Sequence, residues 1–232
     1  MANIKKLQKT PSREGALNDK EAFFMKYKKA ISGGVVALIV VVAGIILYSN
    51  YVAGPREDKA STALAKGQEY FNAEAFDKAL NGDGAGYIGF VKVADDYSNT
   101  KAGNLANLYA GLCYANLNKW SDAVKYLEAY STSDDAMVSP ASQAALGNAY
   151  AHVNRLDDAV NALKKAASMA DSKADENTNN SLSPTFLIQA GEILESQGKK
   201  NEALQIYQDI KKKYVNAPIN QEIDKYIERA SE

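Results

Sequence analysis

The chain has 232 residues, of which 46% are hydrophobic, and its 27 Lys and Arg against 28 Asp and Glu leave a formal net charge of −1. That balance implies no basic face of the kind nucleic-acid binding needs, and no nucleic-acid partner is expected. A single cysteine and a single histidine exclude an internal disulfide and argue against a zinc site or a His-activated nucleophile.

The first 29 residues carry Lys5, Lys6, Lys9, Arg13, Lys20, Lys26, Lys28 and Lys29 against Glu14, Asp19 and Glu21, eight minus three, or +5. They read as a basic tail, polar and extended up to Leu17, with Asn18 and Asp19 capping a short helix that ends at Lys29. Ala30 to Tyr48 then run for 19 residues without a charge. As a helix rising about 1.5 Å per residue, the run reaches roughly 28 Å, close to the ~30 Å hydrocarbon core of a bilayer. It is longer than the roughly 7–15 apolar residues of a cleaved leader, no A-x-A site follows it, and it is apolar all round rather than on one face. Residues 30–52 are therefore expected to be a retained transmembrane anchor.

Past the run, Arg56, Glu57, Asp58 and Lys59 cancel. The Lys and Arg excess on the N-terminal flank predicts a cytoplasmic tail and an external domain. Phe23, Phe24 and Tyr27 on one side, with Tyr48 and Tyr51 on the other, suit the two interfacial aromatic belts. Gly33 with Ala37, and Ala30 with Gly34, are small-xxx-small pairs of the kind that lets membrane helices approach.

Residues 60–232 are expected to form an all-α domain, because Ala, Leu, Lys, Glu and Tyr recur there at helical spacing and strand-like alternation is nearly absent. The segments NLYAGLCYANLNKWSDAVKYLEAY, QAALGNAYAHVNRLDDAVNALKKA and LIQAGEILESQGKKNEALQIYQDI superpose on one another. Their glycines are Gly111, Gly147 and Gly191; Tyr114, Tyr150 and Leu194 follow, then Ala123, Ala159 and Ala203, then Leu127, Leu163 and Tyr207. Small residues at the first and third places let two antiparallel helices approach, and large ones fill the space between pairs.

A degenerate first unit is placed on Gly67, Tyr70 and Ala79, with its second helix delayed by NGDGAG. In it Gly86, Phe90 and Val93 stand where Ala203, Tyr207 and Ile210 stand in the last unit. The stretch DSKADENTNNSL reads as a mobile polar loop. Ser139-Pro140 and Ser183-Pro184 read as helix starts with a capping serine. INQEIDKYIERA reads as an amphipathic helix covering the end of the stack. Cys113, within an apolar helical stretch, reads as a small buried hydrophobe.

Sites for chemistry are not expected. Gly82 to Gly86 lacks the Gly-Lys-Ser/Thr ending of a phosphate loop. Asp77 to Ile88 lacks the twelfth-position Glu of a calcium loop. The doublets Asp95-Asp96, Asp134-Asp135 and Asp157-Asp158 read as solvated caps. No catalytic residue, cofactor site or metal site is expected.

The repeated Leu-Gly, aromatic and Ala positions resemble the tetratricopeptide repeat over residues 60–214, although the early Trp of that repeat is missing from each unit. The resemblance implies a right-handed helical solenoid of about four helix pairs plus a capping helix, whose first helices line a concave groove. The groove positions are then Leu64, Gln68 and Phe71 in the first unit, and Leu105, Leu108, Leu112 and Asn116 in the second. Ala144, Asn148 and His152 come from the third, and Ile188, Glu192 and Glu195 from the fourth. Such a groove is apolar at its beginning and acidic at its end; either its leucines simply pack against the terminal helix or a loop, or they form a groove for an apolar or helical segment of another polypeptide.

The order of basic tail, single anchor and four-unit domain, with GQEYFNAEAFDKAL and AGNLANLYAGLCYANLNKWSDAVKYLEA, resembles the ancillary translocon proteins of the YfgM type. That resemblance implies a non-enzymatic, single-pass protein of the Gram-negative inner membrane with a periplasmic domain. Its implied partners are SecYEG subunits, a periplasmic chaperone or nascent secretory chains. A scaffold of another cell-envelope assembly or secretion complex is the alternative.

Overall fold

In the computed structural model the backbone is described for residues 13–232 and side chains from residue 21 onward. The part of the basic tail that precedes residue 13 lies outside the described residues. Contacts divide the chain into Met1–Pro55 and Arg56–Glu232.

In the first unit, helix α1 runs from Arg13 to Tyr48. Residues 13–17 of the expected extended stretch and the cap at Asn18-Asp19 are therefore corrected: they fall inside α1. Ala16, Leu17, Lys20 and Glu21 are good helix formers, and a segment in phase with a long helix needs no nucleus of its own. An 18-residue window has a mean hydropathy of 2.8 and none of it is buried. Among the described residues this is the one helix long and apolar enough to cross a membrane, a property that an N-terminal leader shares.

After Tyr48 the backbone widens into a π turn, Ser49–Ala53, closed by the Gly54 N–H donating to the Ser49 carbonyl. Pro55 explains the widening. It has no N–H for the Tyr51 carbonyl, and its ring would collide with that oxygen in a regular α-helix.

Helix α2, Gly54–Asn72, carries the chain into the second unit. There follow α3 (Phe76–Asn81), α4 (Phe90–Asp96), α5 (Lys101–Asn116), α6 (Trp120–Ala129), α7 (Val138–His152), α8 (Leu156–Ser172), α9 (Ser183–Ser196), α10 (Lys200–Lys213) and α11 (Ile223–Ser231). No strand occurs among the described residues. The helices pair as α5 with α6, α7 with α8, and α9 with α10, each pair packing on the next.

The repeat glycines hold these pairs together by having no side chain. A Cβ built on Gly111 would lie 2.6 Å from Leu127 Cγ, and one on Gly147 would lie 2.8 Å from Leu163 Cγ. Gly191 meets Tyr207 in the same way, and Gly67 meets Phe90. The large residue anticipated for each pair is thus the one that fills the glycine's place, including Phe90 beyond the inserted loop. Each pair turns through a left-handed residue seven positions after its glycine, at Glu74, Asn118, Asn154 and Gly198. The following N–H reaches back five residues, as Lys119 does to Tyr114 and Lys199 to Leu194, which closes the helix end.

Two helix starts differ from expectation. Ser139 and Ser183 do not cap; they lie in the first turns of α7 and α9 and are fully buried. The caps are Asp135, whose Oδ1 accepts from Met137 N and Ser139 N, and Asn179, whose Oδ1 accepts from Ser181 N and Leu182 N. Each serine hydroxyl donates to a carbonyl of the preceding segment, the loop after α6 for Ser139 and α8 itself for Ser183. Ser139 Oγ donates to Ser133 O at 3.0 Å, and Ser183 Oγ donates to Ala167 O at 2.9 Å. Gly103 stands in the same repeat position on α5, where a Cβ would collide with the Tyr97 carbonyl.

The start of α5 is held from a distance. Glu57 on α2 accepts from Lys101 N at 2.8 Å and Ala102 N at 2.9 Å, while Thr100 accepts from Gly103 N. Arg56 reaches Asn99 Oδ1 and the Asp96 carbonyl. Residues that read as a cancelling charge flank therefore fasten α2 to the α4–α5 corner.

Candidate interaction surfaces

The first helices α2, α5, α7 and α9 present the anticipated groove residues in two rows with different fates. The row three residues before each glycine is Leu64, Leu108, Ala144 and Ile188, and none of these is more than 8% exposed. They are packing residues between successive units: Leu108 clusters with Ala149 of α7, and Ala144 shares a cluster with Ile188 of α9. The expectation that they line an open groove gives way to this burial.

The row one residue after each glycine reaches the surface: Gln68 and Leu112 are half-buried, and Asn148 and Glu192 are exposed. Gln68 Nε2 donates to Tyr109 Oη at 2.8 Å. Phe71 packs edge-on against Phe76 and Tyr109, with ring centroids 5.7 and 5.2 Å away. The apolar beginning of the expected groove is thus largely consumed by the first unit's own core. Leu105 and Leu112 remain half-buried beside the α5–α6–α7 cluster.

At the other end, Arg229 of α11 grips Glu195 through two nitrogens and stands 4.0 Å from Glu192. The acidic end is therefore met by a cation from the terminal helix, which a scan of the first helices alone could not find. Asn116 is exposed and its Nδ2 donates to the Leu112 carbonyl of its own helix. His152 lies flat on Trp120 of α6, with centroids 3.6 Å apart and planes 2° from parallel. Trp120, missed in the sequence, makes His152 half of an aromatic platform; its only sequence signal is a lone Trp at a helix start.

Several titratable groups are shifted by burial and by the hydrogen bonds that tie helices together. Burial pushes the Cys113 thiol up to about 12, so it stays protonated and inert. Burial alone would raise the Asp171 carboxyl, but hydrogen bonds from Lys213, Ser183, Tyr214 and Asn179 N outweigh it and leave the pKa below the ordinary value. That residue opens the stretch expected to be a mobile loop. Instead Asp171 and Ser172 finish α8, and Asp171, 7% exposed, ties α8 to α9 and α10. Backbone hydrogen bonds from Ala85 and Tyr87, then the Tyr70 hydroxyl, hold Asp83 well below the carboxylate range within the first insertion. Among the described residues no three metal-ligating side chains converge.

Two clefts open between second helices. One of about 610 Å³ lies between α6 and α8 over α7, and one of about 510 Å³ lies between α8 and α10 over α9. None of the anticipated groove residues lines either.

Stacked antiparallel helix pairs, closed by glycine–large residue contacts and finished by an amphipathic helix, define an all-helical repeat scaffold. The model of the tetratricopeptide repeat-like domain family matches residues 21–222, and the chain belongs to that family. No curated protein matches the chain. Among solved structures, the nearly identical TPR-like repeats of a putative kinesin light chain from Podosopora anserina are similar over 75% of this chain and 86% of theirs, at 13% identity and a TM-score of 0.56. A single-substitution variant of those repeats, also at 13% identity and a TM-score of 0.56, aligns over 75% of this chain and 85% of its own. At that identity the likeness is one of fold. Domains of this kind are generally protein-interaction scaffolds.

Proposed function

We propose that the chain is a membrane-anchored adaptor that binds polypeptide partners at the periplasmic face of a Gram-negative inner membrane, ancillary to the Sec translocon and periplasmic chaperones. The observation that carries the reading is the extent of the family match. It begins at residue 21, so it takes in the apolar run Ala30–Tyr48 together with the repeats. A match that runs through the apolar helix supports its being retained rather than cleaved.

The basic flank before the run keeps residues 1–29 cytoplasmic, residues 30–52 span the bilayer, and residues 60–232 stand outside. Tethering next to membrane partners raises the effective concentration of the repeats and makes modest affinities sufficient. The partner segment lies along the row Gln68, Leu112 and Asn148. Leu112 supplies an aliphatic contact, Asn116 and Asn148 supply carboxamides for its backbone, and Trp120 with His152 supplies a flat rim.

The test is photo-crosslinking in cells from a probe at Leu112, with adducts identified by mass spectrometry. Adducts with SecYEG subunits, a periplasmic chaperone or nascent secretory chains are the expected result. Adducts confined to a different envelope complex reassign the adaptor to that complex, and adducts confined to its own chain remove the groove. Leu112→Asp is expected to weaken partner recovery while leaving the protein in the alkali-resistant membrane fraction.

A further inference from the structure

The two clefts between second helices are copies of each other. Asp158, Asn161, Ala162 and Lys165 of the first stand 44 residues before Glu202, Gln205, Ile206 and Asp209 of the second, the spacing of Gly147 and Gly191. The opposite wall repeats too, with Glu128 in the first cleft 36 residues before Lys164 in the second. One unit earlier, the place of Ala162 and Ile206 is taken by Tyr126, which is 7% exposed and stacks on Tyr114. The position thus carries a large buried aromatic in one unit and a smaller residue where each of these two clefts opens.

The copies differ in how their carboxylates are served. In the first cleft, Arg155 lies 4.1 Å over the Tyr150 ring and pairs with Glu128 at 3.0 Å and Asp158 at 2.7 Å. A cation of the chain itself is already seated at that rim. The counterpart of Arg155 in the second cleft is Lys199, which is turned away to Asp157 at 2.6 Å. Glu202 and Asp209 consequently have no ion-pair partner within 4.0 Å among the described residues. Beneath them Leu187 and Ile206 form an apolar floor, with Ile206 8% exposed. An apolar floor under two carboxylates that make no salt bridge, Asp209 being hydrogen-bonded by Gln205 Nε2 at 3.0 Å, matches a side chain with an aliphatic stem and a cationic end.

We propose that the cleft between α8 and α10 binds an arginine or lysine side chain of a partner polypeptide, with the stem on Leu187 and Ile206 and the charge between Glu202 and Asp209. The Asn201 carboxamide beside it meets the partner's backbone, while Gln205 holds the Asp209 carboxylate in place. Lys164, on the facing wall, suits a backbone carbonyl or an acidic neighbour of the bound residue. The site is separate from the first-helix row, so crosslinking from Leu112 tests a different surface.

The test uses the full chain in nanodiscs of neutral lipid and a fluorescent, end-blocked peptide Gly-Ala-Leu-Arg-Leu-Ala-Gly, read by anisotropy. Its counterpart with citrulline keeps the shape and loses the charge. The arginine peptide is expected to bind about tenfold more tightly than the citrulline peptide, and Glu202→Gln with Asp209→Asn is expected to erase that difference. Ile206→Tyr, which copies the residue the fold already carries at Tyr126, is expected to plug the cleft and abolish binding. Ala162→Tyr plugs only the other cleft and is expected to leave binding unchanged. Equal affinity for the two peptides overturns the proposal. So does arginine selectivity that survives the paired charge substitution, or a loss on Ala162→Tyr as large as on Ile206→Tyr.

Discussion

The first and last repeat units make the same glycine–aromatic contact over different lengths of chain. Gly191 meets Tyr207 after 16 residues, whereas Gly67 meets Phe90 after 23. The additional residues form the loop between α3 and α4, and they are held by their own hydrogen bonds. Asp83 Oδ1 accepts from Ala85 N and Tyr87 N, Oδ2 accepts from the Tyr70 hydroxyl, and Tyr87 Oη donates to the Ala79 carbonyl at 2.8 Å. The last unit needs no such loop and is secured instead by Asp171 and by Arg229 on Glu195. Packing fixes which aromatic faces the glycine, and local polar networks take up whatever length of chain lies between.

The comparison breaks most sharply at the aromatics. Phe90→Ala and Tyr207→Ala each remove a side chain with no exposure and are expected to cost about 3–5 kcal/mol. Denaturant titration of the two variants side by side checks whether the interrupted unit depends on its aromatic as much as the regular one does; a loss below about 1 kcal/mol for Phe90→Ala would make the first unit a loosely attached flap. Asp171→Ala comes next. It strands the Tyr214 hydroxyl and the Asn179 N–H, while Ser183 keeps the Ala167 carbonyl, and is expected to cost about 2–3 kcal/mol, with Tyr214→Phe costing less. Thermal melts of both, alone and combined, show whether they act through one network.

Acid and alkali probe the same networks with defined signs. The carboxyls of Asp83, Asp135 and Asp171 titrate below their ordinary range, so the folded state binds fewer protons than the unfolded one there. Their stabilisation is complete above roughly pH 5 and falls as the pH drops through the folded values. Tyr87, Tyr207 and Tyr214 are raised, chiefly by burial. Their contribution is full below about pH 10 and is lost as the pH climbs past it. A melting profile from pH 3 to 11 is expected to show a plateau with both flanks falling, the acid flank flattening in the variant Asp171→Asn.

The smallest effect is expected for Asp83→Ala: faster amide exchange at Ala85 and Tyr87, with α9 and α10 unaffected. Faster exchange spreading to the last unit would show that the stack behaves as one cooperative body.

Much of the fold was legible because its determinants are short-range and repeated. Glycine, alanine and a large residue at fixed distances specify two helices in contact, and that reading extended correctly across the insertion to Phe90. The amphipathic spacing of Ile223, Tyr226, Ile227 and Ala230 likewise placed the final helix. The interaction surface was less legible. Helical periodicity places Leu64, Leu108 and Ile188 on a face of their own helices, but it does not say whether a neighbouring unit already occupies that face.

The sequence by itself determined the apolar N-terminal helix, the pairing of helices and the inertness of the cysteine, since each follows from composition or from spacing within one unit. Only the tertiary structure decided that Glu57 caps α5, that Asp171 anchors the stretch expected to be a loop, that Arg229 meets the acidic end, and that space opens between second helices at Ala162 and Ile206. Those contacts join residues 34 to 45 positions apart, or depend on the volume left between two packed helices. A periodic pattern carries no record of either, because the same residue is solvated or buried according to what the next unit brings against it.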